Sequence, residues 1–186
     1  MNATQVIRRL RVPFGFLLGG LYLAFARPTP GSLLLGGAIA FLGVLVRAWA
    51  AGHIVKNDRL ATTGPYAHTR NPLYFGSFLI AAGFAIAAHW SLLLLVVAFF
   101  AMVYGPTIRS EREYVRSRFP DAYDEYARNV PAFVPRPAPW RGGTKPGEGG
   151  GAFSLALYLR HREWQAGLVF VLVMLWFAVV RPRLFS

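Results

Sequence analysis

The residues best able to do chemistry lie in one stretch, Gly64-Pro65-Tyr66-Ala67-His68-Thr69-Arg70-Asn71-Pro72-Leu73-Tyr74-Phe75-Gly76. Asn71-Pro72 is a strong helix-start signal. Asn is a preferred N-cap, and the fixed φ and missing N–H of proline suit the first helical position. A helix start presents free N–H groups and the positive end of the macrodipole, which attract a carboxylate or phosphate. Arg70 adds a full charge just before it. Tyr66 and Tyr74 flank it, with rings that can stack on a flat ligand and hydroxyls that can donate a hydrogen bond. The stretch can therefore hold an anionic, partly aromatic ligand. It reads more simply as a capped helix with an interfacial arginine and two belt tyrosines, and residue types leave both readings open.

Other chemistries are narrower. The chain has no cysteine, which excludes disulfides and thiolate-ligated metals. No two of the 4 histidines sit at metal-ligand spacing, so no metal is expected. His68 reads as solvent-exposed and His53 as interfacial. Gly142-Gly143-Thr144-Lys145-Pro146-Gly147 lacks the order of a phosphate-binding loop and a strand before it, and reads as a linker. The net charge of +12 is compatible with nucleic acid. The apolar character of the chain points instead to arginines on the cytoplasmic side of a membrane, so no nucleic-acid partner is expected.

These residues must be positioned by apolar elements. Hydrophobic residues make up 55% of the chain and charged ones only 15%, and the mean hydropathy is +0.40. A soluble domain has about 25% charged residues. Apolar runs cover about 10–26, 32–55, 72–107 and 164–180. As one helix, the 36 residues of 72–107 would extend about 54 Å, well beyond the ~30 Å hydrocarbon core. They are predicted to fold as a hairpin with its tip near Ala88-His89-Trp90-Ser91. The expected fold is therefore all-α, a single domain over 1–186 with five transmembrane helices. The basic start, Met1 to Arg11, is read as leading a retained first helix rather than a cleaved signal. From Arg109 to Pro135 one apolar stripe runs along otherwise charged helices, and Pro120 marks the first turn of a second short one. Residues 135–151 are a Pro/Gly-rich loop, and 153–162 an interfacial helix. With the N-terminus inside, 17 Lys and Arg fall on the cytoplasmic side and 3 outside. The positive-inside rule therefore gives a cytoplasmic N-terminus, with a prokaryotic inner membrane as the expected location.

The order Gly64-Pro65-Tyr66-x-x-x-Arg70-Asn71-Pro72-x-Tyr74-x-Gly76, followed after the hairpin by Glu111, Glu113, Phe119-Pro120, Tyr123, Tyr126 and Val130-Pro131, resembles the isoprenylcysteine carboxyl methyltransferase and phospholipid N-methyltransferase superfamily. The likeness covers about 47–135. Four departures stand out. Asn71 occupies a position where His is commoner. Arg112 replaces the second residue of a Glu pair whose first is Glu111. Phe119 is followed by Pro rather than Gly. Thr107 stands where an Arg is usual, with Arg109 the nearest substitute. His53 resembles a position near the cofactor.

The resemblance implies S-adenosylmethionine as cofactor, bound by Arg59, Leu60, Ala61, Tyr66, Asn71, Pro72, Leu73, Tyr74 and Glu111. Glu111 would take the ammonium or a ribose hydroxyl, and the helix start the carboxylate. Arg70, Arg109 and Tyr74 become the catalytic candidates. The partner implied is a lipophilic acceptor from the bilayer, either the carboxylate of a prenylated thiol or a lipid amine headgroup. Two competing readings are an NADPH-dependent enzyme like the sterol reductases, which share a similar C-terminal motif, and a non-catalytic membrane scaffold.

Overall fold

A computed structural model of the chain describes residues 19, 22, 26–54, 60–142 and 152–184, and all regular structure among them is helical. Helix α1 is Pro30–Ala51, α2 Pro72–Ala88, α3 Leu92–Arg118, α4 Pro120–Asn129, α5 Leu155–Arg160 and α6 Trp164–Val180. The first predicted span and Arg59 lie largely or wholly outside the described residues. Of that span, the Tyr22 hydroxyl donates to the Phe84 carbonyl at 2.9 Å, and the ring edge meets Phe177.

Helix α1 starts two residues earlier than its apolar run suggests. Thr29 and Ser32 cap each other reciprocally and Pro30 takes the first turn. The α2–α3 hairpin forms as expected, with His89–Ser91 at its tip, but its second arm does not stop where the charges begin. Helix α3 runs unbroken through Pro106 for 27 residues, or about 40 Å. Pro106 cannot donate a backbone hydrogen bond. A π-helical turn at Phe100–Tyr104 precedes it, with Gly105 N–H reaching the Phe100 carbonyl five residues back. The same device, a π-turn at Trp176–Val180, precedes Pro182. One rigid helix therefore carries the charged segment out beyond the apolar layer.

Helices α1 and α2 pack closely through small residues. A Cβ on Gly36 would lie 2.3 Å from the Gly83 carbonyl oxygen, and one on Gly43 2.6 Å from that of Gly76. This is the backbone-to-backbone approach that small residues allow between helices in lipid. The outward faces are apolar. Leu34 is 76% exposed and Leu94 70%, and only 6% of the apolar window of α3 is buried. A soluble core helix would be covered, whereas these faces suit lipid. Among the described residues, α1 and α3 are long and apolar enough to cross a membrane, and α2 and α6 are shorter apolar helices.

Candidate functional site

The hairpin returns the C-terminal half of α3 to the level at which α2 begins. The motif loop is held there by the segment after α4. Val130, only 1% exposed, anchors a small core with Tyr123 and Tyr126. From this anchor the Pro131 carbonyl accepts from Arg70 N–H at 2.9 Å, and Trp140 N–H donates to the Ala67 carbonyl at 2.9 Å. The Thr69 hydroxyl donates to the Phe133 carbonyl at 2.9 Å, and the Tyr126 hydroxyl to that of Tyr66 at 2.7 Å. Gly64 sits at φ +57°, where a side chain would also strike His53.

Two expectations are corrected here. Asn71 does not cap α2 with its side chain, which donates instead to the Ala132 carbonyl at 2.7 Å. The loop contact engages Nδ2 and fixes the orientation of the amide, and Oδ1, the atom a cap would use, makes no hydrogen bond to the first N–H groups of α2. His68 is half-buried rather than solvent-exposed, with Nδ1 2.8 Å from the Arg136 carbonyl oxygen. His53 is buried, 2.8 Å from the Trp49 carbonyl oxygen, and does not line the cavity described next.

Between the start of α2, the segment at 60–61, the far end of α3 and the start of α4 lies a cavity of about 460 Å³. Drug-sized ligands occupy roughly 300–1,000 Å³. Leu60, Ala61, Tyr66, Arg70, Asn71, Pro72, Leu73, Tyr74 and Glu111 all line it. The Tyr74 hydroxyl donates to Glu111 Oε1 at 2.7 Å, joining α2 to α3 across the opening. Arg70 donates from a terminal nitrogen to the Tyr123 hydroxyl at 3.0 Å. Arg109 is exposed on α3 and is not among the lining residues.

The structure adds lining residues that the motif does not name. Ile108 and Val115 flank Glu111 on α3, three residues before it and four after, a periodicity legible in the sequence, and Arg112 and Phe119, which the motif does name, line the cavity beside them. Arg47 lines the cavity too, and its mark in the sequence is being the only charged residue in the 32–55 run. Its partner Glu163, 116 residues away, has no local signal.

The hydroxyl of Tyr66 is buried and has no hydrogen-bond partner among the described residues. Burial pushes its pKa well above the usual value, helped by the carboxylates of Glu163 and Glu111 and opposed by Arg47. Tyr126 is raised for the same principal reason, burial. Both phenols therefore stay protonated at neutral pH, and Tyr66 remains a donor. The unfolded chain releases these protons above about pH 10, while the folded one holds them. Stability is accordingly intact below about pH 10 and declines as pH climbs towards the raised folded values. Thermal midpoints recorded from pH 7 to 11 should be level up to about 10 and then fall, and Tyr66→Phe should lessen the fall.

Residues 38–122 match the phospholipid methyltransferase family. The cobalt-zinc-cadmium resistance protein CzcN of Cupriavidus metallidurans is 36% identical over 140 residues, covering 71% of this chain and 64% of that protein. The nickel-cobalt-cadmium resistance protein NccN of Alcaligenes xylosoxydans is 39% identical over 106 residues, 55% of this chain and 48% of that protein. The protein-S-isoprenylcysteine O-methyltransferase of Schizosaccharomyces pombe is 29% identical over 137 residues, 70% of this chain and 58% of that protein. The chain thus spans about half to two thirds of the length of these relatives. No solved structure matches. The all-helical fold with its lipid-suited faces, the family match over 38–122 and the shared sequence agree, and together they support a place for the chain in the superfamily of integral membrane methyltransferases.

Proposed function

We propose that this protein transfers a methyl group from S-adenosylmethionine to a lipophilic acceptor at the cytoplasmic face of its membrane. The observation that carries the reading is the meeting of the start of α2 with Glu111 of α3 in one nucleoside-sized cavity, with the Tyr74 hydroxyl 2.7 Å from the Glu111 carboxylate. The donor set fits the cofactor. Glu111 suits an ammonium or ribose hydroxyl, the helix start a carboxylate, and the unpartnered Tyr66 hydroxyl a further acceptor. Leu60, Ala61, Pro72 and Leu73 supply apolar wall, and Arg59 belongs to the same stretch of sequence. When bound, the cofactor supplies a methyl group on a sulfonium. The task of the protein is then to align donor and acceptor and to keep water out. Arg70 in the cavity wall and Arg109 on the exposed flank would orient an anionic acceptor, and Tyr74 would hold Glu111 in place.

Charge and proton balance favour a carboxylate acceptor over an amine headgroup. Arg47, Arg70, Arg112 and Arg118 line the cavity against one carboxylate, Glu111. Methylating a carboxylate moves no proton, whereas a protonated amine must first lose one. The described lining residues include no histidine, and their one carboxylate already accepts from Tyr74. The distribution of Lys and Arg supports a cytoplasmic N-terminus for the five proposed spans, and a prokaryotic inner membrane is the proposed location.

Calorimetry on the detergent-solubilised protein tests the reading. S-adenosylhomocysteine should bind and NADPH should not. Binding of NADPH alone would make the protein reductase-like, and binding of neither would make it a scaffold. Lipid extracts incubated with protein and methyl-labelled cofactor, resolved by mass, should yield a labelled ester rather than a labelled amine.

A further inference from the structure

A charged residue inside an apolar helix is costly unless it is paired and used. Arg47, in the last turns of α1, is both. Its Nε lies 2.9 Å from Glu163 Oε2 and one terminal nitrogen 2.8 Å from Oε1, a two-pronged geometry that fixes both groups. The other terminal nitrogen donates to the Leu73 carbonyl at 3.3 Å and to the Ser77 hydroxyl. One guanidinium thus ties α1, the first turn of α2 and the residue just before α6. The pair is mostly buried, the side chains being 24% and 12% exposed. Arg47 crosses Gly76, where a Cβ would lie 2.6 Å from its Cγ, and forms part of the cavity wall. The backbone that delivers Glu163 is itself unusual, since Arg162 sits at φ +55°. A non-glycine residue held there costs energy that its surroundings must offset.

The lining side chains carry four positive charges and one negative, a net +3, and counting Glu163 lowers this to +2. Resting on the function proposed above, we infer that Glu163 is the counter-ion of Arg47 in the cofactor cavity. It is a positioning residue that seats the guanidinium on the first turn of α2 and offsets its charge, so that the cavity admits a cationic sulfonium nucleoside. Glu163 lies outside the 38–122 family match, so the C-terminal helical segment contributes to the site.

S-adenosylmethionine carries one more positive charge than S-adenosylhomocysteine, so the ratio of their affinities reads the charge of the cavity. A purely structural role for Glu163 would weaken both ligands alike. Calorimetry on the full chain in detergent, with thermal midpoints alongside, should show that Glu163→Gln weakens S-adenosylmethionine about three- to tenfold more than S-adenosylhomocysteine. The double variant Arg47→Leu/Glu163→Leu removes both charges, a change buried pairs often tolerate. It should restore the parental ratio while weakening both ligands several-fold through lost positioning. An unchanged ratio in Glu163→Gln overturns the inference while leaving the proposed function standing. Parental affinities in the double variant do the same, and serve as the test if Glu163→Gln does not fold. A parent protein that binds neither nucleoside overturns the proposed function itself, and this inference with it.

Discussion

Glu111→Ala should weaken S-adenosylhomocysteine binding by about 10- to 150-fold, with little change in thermal stability. The fold-change corresponds to losing one hydrogen bond to a charged group, about 1.5–3 kcal/mol. Stability should hold because Glu111 is exposed on the outer half of α3, where its hydrogen-bond partner Tyr74 comes from the start of α2. Tyr74→Phe is the finer probe. It keeps the ring edge-on to Tyr104, with centroids 5.3 Å apart, and deletes only the hydroxyl that orients the carboxylate. A loss of a few-fold up to about tenfold is expected, smaller than for Glu111→Ala because the charge remains. Should both variants bind S-adenosylhomocysteine as tightly as the parent, the assignment of this cavity to the cofactor fails.

The largest effect on stability should come from the α1–α2 contact. A Cβ on Gly83 would stand 2.4 Å from the Gly36 carbonyl oxygen and 2.5 Å from Ala40 N. Both are backbone atoms of a continuous helix, so no side chain can turn aside and the helices must separate. Overpacking of this kind costs about 1–3 kcal/mol or more, which for a chain of this size is roughly 2–12 °C in thermal midpoint. Gly83→Val should exceed Gly83→Ala, and both should reduce nucleoside binding, because the same contact sets Arg47 against the start of α2. Gly105→Ala is the counter-test. That glycine lies inside a helix with nothing within 4 Å of its Cβ position, so alanine should be neutral or stabilising by up to about 1 kcal/mol. Thermal unfolding of the three variants in one detergent separates the cases. Equal midpoints for Gly83→Val and the parent would show that the helices do not pack as described.

The division between sequence and tertiary structure follows the range of the forces involved. Apolar runs, helix starts at proline and the hairpin tip at His89-Trp90 are local matters of hydropathy, capping and chain stiffness. They were legible from the residues, as was the stretch around Arg70 and Tyr74. Helix α3 continues past Arg109, where its apolar run ends, because a change from apolar to charged residues alters what surrounds a helix without interrupting its hydrogen bonds. The π-turn before Pro106 keeps the helix continuous, and continuity is what aims Glu111 at Tyr74. The side chain of Asn71 departs from expectation for a related reason: local propensity favours a cap through Oδ1, but the Ala132 carbonyl, 61 residues away, accepts from Nδ2 and orients the amide. The exposed Arg109 and the cavity-lining Arg112 lie three residues apart on one helix, and only the packing of α2 and α4 against α3 distinguishes them. The pairing of Arg47 with Glu163 is the extreme case. Arg47 announces itself as a charge in an apolar run, but a partner over a hundred residues away is chosen by how α6 docks on α1, and no spacing in the sequence records that choice.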